Sequence, residues 1–245
     1  DTDRSRGLGD VYKRQLLDRL QEIDGIRWIR ILYAYPERIS DAFIAAMVRN
    51  TKVVPYLDLP IQHCDDAVLK AMNRRGGRKE IEDAIARLRA AIPGITLRTT
   101  LIAGFPGETE EQYAELCDFV KTVRFDRLGC FAYSAEENTV AAKMPNQIDE
   151  ETKQRRADHI MELQAEVSAE REGEKVGHTY ECICDGVDDE TGMYLLRTKA
   201  DCPEIDGNVL TPADTPLETG AFYKVTITDS DTYDLYGYAE ERLED

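Results

Sequence analysis

Two segments of this chain alternate aliphatic and polar side chains and then run into a polar turn. Residues 56–63 read YLDLPIQH and residues 97–108 read LRTTLIAGFPGE. Because successive side chains of a strand point to opposite faces, the polar parity would line one face and the aliphatic parity the other. In a β/α barrel the polar face would be the interior. The residues of that parity are Asp58, Gln62, Arg98 and Thr100.

Arg98 is the strongest candidate for ligand binding. An arginine that points inward from a central strand must be paired with a carboxylate or another anion. That carboxylate could belong to a ligand or to Asp58, and the sequence leaves both open. His63 stands beside a predicted helix start, where a histidine is more often structural than catalytic.

Gly104 and Gly107 lie in the turn after the second segment. Glycine lets the backbone approach a ligand closely, and the free amides at the helix start after Glu108 suit a negative group. Simple turn chemistry explains the same spacing equally well. In parallel β/α architectures, ligands gather where strands end and helices begin, so Gln62 and Gly104 are expected on one rim.

The elements that would position these residues alternate regularly from residue 16 to 148. We predict strands at 28–35, 56–61, 95–102 and 127–133, separated by helices with apolar residues at helical spacing. This order predicts an α/β fold, a parallel sheet curved as in a TIM-like barrel. A closed (β/α)₈ barrel needs about eight strands, so only part of a barrel is expected.

The two ends of the chain do not continue this alternation of strands and helices. Residues 1–15 show no apolar period, and we interpret them as a non-native segment. Residues 149–172 are predicted to be a connecting helix, with a domain boundary near residue 170. Residues 173–241 contain five short predicted strands separated by turn signals, which indicates a small OB-like barrel.

Charge is concentrated in that last domain. The chain carries a net charge of −17, and residues 173–245 hold 18 acidic and 5 basic residues, a net charge of −13. Such a field repels nucleic-acid phosphate and attracts basic partners. The alternative is an acidic face that only aids solubility.

Cysteine content and hydropathy argue against a disulfide-stapled protein and against a membrane-spanning protein. The six cysteines are dispersed in a chain too large to need disulfide staples, so reduced thiols and a cytoplasmic location are expected. Cys182 and Cys184 are predicted to share one face of a strand as small buried residues. The sequence has no apolar run long enough to span a membrane, and it contains no CxxC or CxxxCxxC motif.

The motifs together resemble a known family. YLDLPIQH followed by VLKAMNRRG, and then RTTLIAGFPGET, closely resemble the radical S-adenosylmethionine methylthiotransferases. GEKVGH and the later DGNV resemble the TRAM domain of those enzymes. The segments LYAYPER, PIQHC and FAYSAEE are most similar to members that methylthiolate the β-carbon of an aspartate in a small-subunit ribosomal protein.

The resemblance implies S-adenosylmethionine and two [4Fe-4S] clusters as cofactors, with radical chemistry supplied by the cofactors and orientation by the protein. It implies that a few strand-end residues help to hold S-adenosylmethionine. These are Gln62, Arg98, Thr100 and Gly104. No catalytic residue is assigned. A basic small-subunit ribosomal protein would bind through the acidic TRAM-like domain, with tRNA a less favoured partner.

One departure from the family pattern has a direct consequence. The family binds its radical-generating cluster through CxxxCxxC and holds a second cluster through three cysteines of an N-terminal domain, and neither set occurs here. No metal ligand is therefore assigned. The chain is expected to be the C-terminal part of such an enzyme, inactive by itself.

Two further hypotheses remain open. Within the family, a tRNA methylthiotransferase shares both domains, although the acidic tail disfavours RNA. In a different class, the chain is a non-catalytic binding module whose acidic β-domain recognises a partner. Salt-sensitive binding to a basic ribosomal protein, but not to tRNA, would favour a methylthiotransferase that acts on a ribosomal protein over a tRNA methylthiotransferase.

Overall fold

The structure is a computed structural model that describes residues 2–214 and 216–244. The chain divides into two compact units, Asp1–Gln164 and Ala165–Asp245. The predicted boundary near residue 170 and the predicted non-native segment 1–15 stay predictions.

The first unit is built on a four-stranded parallel sheet of order β1-β2-β3-β4. The strands are β1 Ile29–Ile31, β2 Val53–Asp58, β3 Thr96–Ala103 and β4 Arg127–Ala132. The helices are α1 Thr2–Gln21, α2 Asp41–Arg49, α3 Asp66–Ala71, α4 Arg78–Ala91, α5 Glu110–Val123 and α6 Glu150–Gly173, the last of which continues into the second unit. The predicted partial parallel β/α fold is confirmed.

Helix starts in this unit follow local sequence signals. The Ser40 hydroxyl accepts the N–H of Phe43 and caps α2, while Thr109 and Gln112 form a reciprocal capping box at α5. These side chains satisfy amide groups that the helix itself leaves unpaired. The loops that leave the strands therefore enter their helices at defined residues.

Two elements differ in length from the prediction. Strand β1 ends at Ile31 rather than near residue 35, and Tyr33 adopts a left-handed backbone with φ of 57°. A left-handed residue cannot continue a β-strand. Helix α1 runs from Thr2, whereas the predicted regular elements begin only at residue 16, and its Leu17 side chain is buried.

The aliphatic parity of the strands faces the helices. Leu57, Leu97 and Leu101 are fully buried in one cluster with Leu88 of α4 and Leu116 of α5. Because side chains alternate along a strand, the polar parity lies on the opposite face of the sheet. The sheet therefore separates an apolar core from a polar face.

The second unit contains a closed five-stranded barrel of order β5-β6-β7-β9-β8, as predicted for an OB-like domain. Its strands are β5 Thr179–Val187, β6 Tyr194–Thr198, β7 Val209–Thr211, β8 Phe222–Ser230 and β9 Leu235–Leu243. Cys182 and Cys184 are fully buried in its core, two residues apart on one face of β5. Both thiols are packing groups of the barrel.

None of the described helices combines the length and the apolar character that crossing a membrane would need.

Candidate functional site

Asp58, Arg98 and Arg127 occupy one row across three neighbouring strands. Arg98 Nη1 lies 3.2 Å from Asp58 Oδ1 and 3.4 Å from Thr100 Oγ1. The side chains of Arg98 and Asp58 are 18% and 3% exposed. Asp58 therefore supplies a carboxylate to Arg98, which is one of the two possibilities that the sequence left open.

Two further arginines belong to the same polar face, and sequence reasoning did not select them. The guanidinium of Arg30 in β1 lies 4.3 Å from the centre of the Tyr56 ring. Arg127, the first residue of β4, is buried and in register with Arg98. Alternation with aliphatic neighbours was the available signal, since Ile29 and Ile31 flank Arg30. Several guanidinium groups on one face favour an anionic ligand.

Gln62 lies four residues after the end of β2 and pairs with β3 through its backbone. Its N–H donates to the Thr100 carbonyl at 2.9 Å, and its own carbonyl accepts the N–H of Ile102 at 2.8 Å. Its backbone is left-handed, with φ of 70°. Among the described residues, the buried side-chain oxygen Oε1 has no hydrogen-bond partner. A buried acceptor of this kind is suited to a ligand that brings an N–H or O–H group.

Gly104 follows the last residue of β3, with φ of +76°. Its N–H donates to Glu108 Oε2 at 2.8 Å. A Cβ at this position would lie 2.3 Å from Lys153 Cγ and 3.1 Å from Lys153 Cα. The close approach of α6 therefore requires glycine here, in addition to any contact with a ligand.

His63 and Glu108 form a buried network with Arg156. The His63 ring is fully buried, its Nδ1 accepts the N–H of Asp65 at 2.9 Å, and its Nε2 lies 3.6 Å from Glu108 Oε2. Glu108 Oε1 lies 2.7 Å from Arg156 Nη1. These contacts fix His63 between two loops and fit the structural role expected for it.

The predicted site residues are thus partly brought together. Arg98 contacts Thr100 through side chains, and Gln62 contacts Thr100 through the backbone. Gly104 lies further along the same chain segment and is connected to Glu108 instead. Arg98, Thr100 and Gln62 define the candidate site, and Gly104 belongs to the turn that follows β3.

The described residues do not fit an iron–sulfur cluster. They contain no group of three or more His, Cys, Asp or Glu side chains arranged to hold a metal ion. All six cysteines are free thiols. Burial raises the pKa of Cys64 and of Cys130 to about 12, which disfavours the thiolate form that a metal binds.

Comparison with known proteins agrees with the fold. Residues 9–120 match the family model of the radical SAM superfamily, and residues 176–239 match that of the TRAM domain. Coproporphyrinogen III oxidase (HemN) from Escherichia coli, a radical SAM enzyme, superposes with a TM-score of 0.54 at 20% identity over 65% of this chain and 38% of HemN. The first unit therefore has the radical SAM fold, and the second has the TRAM fold.

Curated relatives are more specific than the radical SAM and TRAM family models. The chain is 48% identical over 228 residues to ribosomal protein uS12 methylthiotransferase RimO of Pelobacter propionicus, covering 93% of this chain and 50% of that protein. It is 45% identical over 232 residues to the RimO of Thermoanaerobacter sp., covering 93% of this chain and 52% of that protein. The chain belongs to the radical SAM methylthiotransferase family and is similar to RimO. It spans about half the length of the curated relatives it matches.

Proposed function

We propose that this chain is part of a methylthiotransferase that adds a methylthio group to the β-carbon of an aspartate in ribosomal protein uS12. The observation that carries the proposal is the connected group formed by Arg98 and Thr100 within β3 and by Gln62 after β2 in a radical SAM fold. The names of its relatives supply uS12 as the substrate to test.

The same group of residues would hold S-adenosylmethionine, which supplies the radical-forming sulfonium chemistry when bound. A guanidinium has five N–H donors, so Arg98 can contact both Asp58 and the ligand carboxylate. Gln62 Oε1 would accept a hydrogen bond from a ligand amino group. Thr100 and the Gly104 turn would bound the site on the side of β3.

The clusters implied by the family would be bound outside this chain. Its cysteines lack the family spacing, and burial keeps Cys64 and Cys130 protonated. We therefore propose that the chain by itself is inactive. Its contribution would be to orient S-adenosylmethionine and to bind the protein substrate.

The acidic C-terminal domain would attract that substrate. The net charge of −13 in residues 173–245 favours a basic ribosomal protein over an anionic RNA. We propose binding of uS12 through this domain, in the cytoplasm. The alternatives are a tRNA methylthiotransferase and a non-catalytic binding module.

Sequencing the native transcript upstream of codon 16 is the first experiment. We expect an open reading frame that continues through further strands and a CxxxCxxC motif. The complete protein, reconstituted with iron and sulfide, should then form 5′-deoxyadenosine and add a methylthio group to an aspartate of uS12. A reading frame that starts near codon 16 without these cysteines would refute the enzyme and favour the binding module. Modification of tRNA instead of uS12 would support the tRNA enzyme.

A further inference from the structure

Helix α6 carries two deeply buried cations on one face. The side chains of Lys153 and Arg156 are 2% and 4% exposed. Residues three positions apart lie on the same side of a helix. Removing a charge from water costs several kcal/mol unless it is paired and hydrogen-bonded. The partners of these cations therefore show what the helix face is built to hold.

Arg156 is connected to Gly104 through one carboxylate. Its Nη1 lies 2.7 Å from Glu108 Oε1, and the other oxygen of that carboxylate accepts the N–H of Gly104 at 2.8 Å. The Glu108 side chain is fully buried. Arg156 Nη2 also donates to Glu110 Oε1 at 2.6 Å. The buried ion pair thus fixes the direction of the Gly104 amide.

Lys153 covers the same turn from the side. Its aliphatic carbons fill the position that a Cβ of residue 104 would occupy. Its Nζ donates to the carbonyl of Tyr133 at 3.0 Å and also pairs with Glu150. Tyr133 directly follows β4, so one helix face contacts the segments that follow two adjacent strands.

We infer that Arg156 and Lys153 are positioning residues that hold the Gly104 turn in the conformation needed to bind S-adenosylmethionine. This inference rests on the proposed function for its ligand. A helix that the sequence describes only as a connector would then form one wall of the site.

The test uses the ¹⁵N-labelled 245-residue chain with Arg156→Gln and, as matched control, Arg155→Gln on the same helix, where the side chain is 59% exposed. Amide exchange of Gly104 and the Kd for S-adenosylmethionine, from chemical-shift titration, are measured for each. Arg156→Gln should speed exchange at Gly104 about tenfold or more, as expected for losing a charge-assisted hydrogen bond, and should raise the Kd. Arg155→Gln should change neither.

A second variant covers the case in which Arg156→Gln unfolds because Glu108 is left charged. In the double variant Glu108→Gln with Arg156→Gln, no buried charge is left unpaired and the amide oxygen at position 108 can still accept the Gly104 N–H, so slow exchange at Gly104 should return together with affinity. Unchanged exchange in Arg156→Gln, or faster exchange with unchanged Kd, would overturn the inference. A wild-type chain without any response to S-adenosylmethionine would instead count against the proposed ligand, and the exchange data would still decide the positioning role.

Discussion

Arg98, within β3, combines a structural contact with its proposed role in ligand binding. Arg98 is held by Asp58, whose side chain is 3% exposed. A buried ion pair adds little net stability because desolvation offsets the attraction between the charges. Its value lies in holding the guanidinium in one orientation, which suits a site that binds an anionic ligand.

Gly104 and Gly107 allow a matched test of backbone strain against steric conflict. Both have positive φ, +76° and +85°, but a Cβ at Gly107 has nothing within 4 Å, whereas one at Gly104 would overlap Lys153. We expect Gly107→Ala to cost about 1 kcal/mol and Gly104→Ala at least about twice that, measured by urea unfolding. Equal losses in the free energy of unfolding would show that Lys153 of α6 does not restrict the side chain at position 104.

Thiol reactivity gives a second residue-level prediction. Burial raises the pKa of Cys64 and Cys130 to about 12, above the value of about 8.5 for an exposed thiol. The thiol pKa is higher in the folded than in the unfolded chain. The stability contributed by the protonated thiols is therefore present below about pH 8.5 and falls as pH rises toward about 12. Iodoacetamide should label both residues slowly at pH 8 in the native chain and rapidly in urea. Fast native labelling of Cys64 would contradict the burial.

At the scale of elements, the hairpin that joins β8 to β9 depends on one carboxylate. Asp231 accepts the N–H groups of Tyr233 and Asp234, each at 2.9 Å, and the hydroxyl of Tyr236 at 3.0 Å. Hydrogen bonds from the backbone of Asp234 and Tyr233 lower the pKa of Asp231. The turn is therefore most stable when this carboxylate is ionised.

Asp231→Ala should destabilise the chain by about 1 kcal/mol at pH 7, similar to the loss of a helix cap. Because the folded pKa is lowered, the contribution is present above the unfolded pKa of about 3.9 and is lost as pH falls through the folded value. Thermal unfolding at pH 7 and in the acid range measures both effects. The control is Asp229→Ala in the same hairpin, whose carboxylate accepts the N–H of Ser230. An equal loss in both variants would refute the role of Asp231.

At the scale of the whole molecule, charge is divided unequally along the chain. Residues 173–245 carry −13 of the net −17. Long-range attraction of this kind raises association rates and weakens with ionic strength, because the Debye length is about 8 Å at physiological salt.

Binding of uS12 to the chain should therefore weaken by about tenfold or more when salt rises from about 0.05 to 0.2 M, since several charge contacts are screened. Fluorescence anisotropy with labelled uS12 measures this, with tRNA as the competing ligand. Salt-insensitive binding of uS12, or tighter binding of tRNA, would contradict the proposed use of the acidic domain.

The sequence by itself determined the order of elements, the two domain types and the family. Capping residues such as Ser40 and Thr109 act on amides within three positions, and strand parity at residues 97–101 depends on neighbours in the chain. Such local signals can be read without knowing the fold. The absence of CxxxCxxC is likewise visible in the sequence alone.

Only the tertiary structure decided which distant residues meet. Strand register placed Asp58 beside Arg98 and Arg98 beside Arg127, and helix packing placed Arg156 on Glu108, 48 positions away in the chain. The left-handed backbone that ends β1 early also escaped the sequence analysis. Pairing between strands and packing of helices depend on contacts far apart along the chain, so local patterns predict the polar face but not the partners of its side chains.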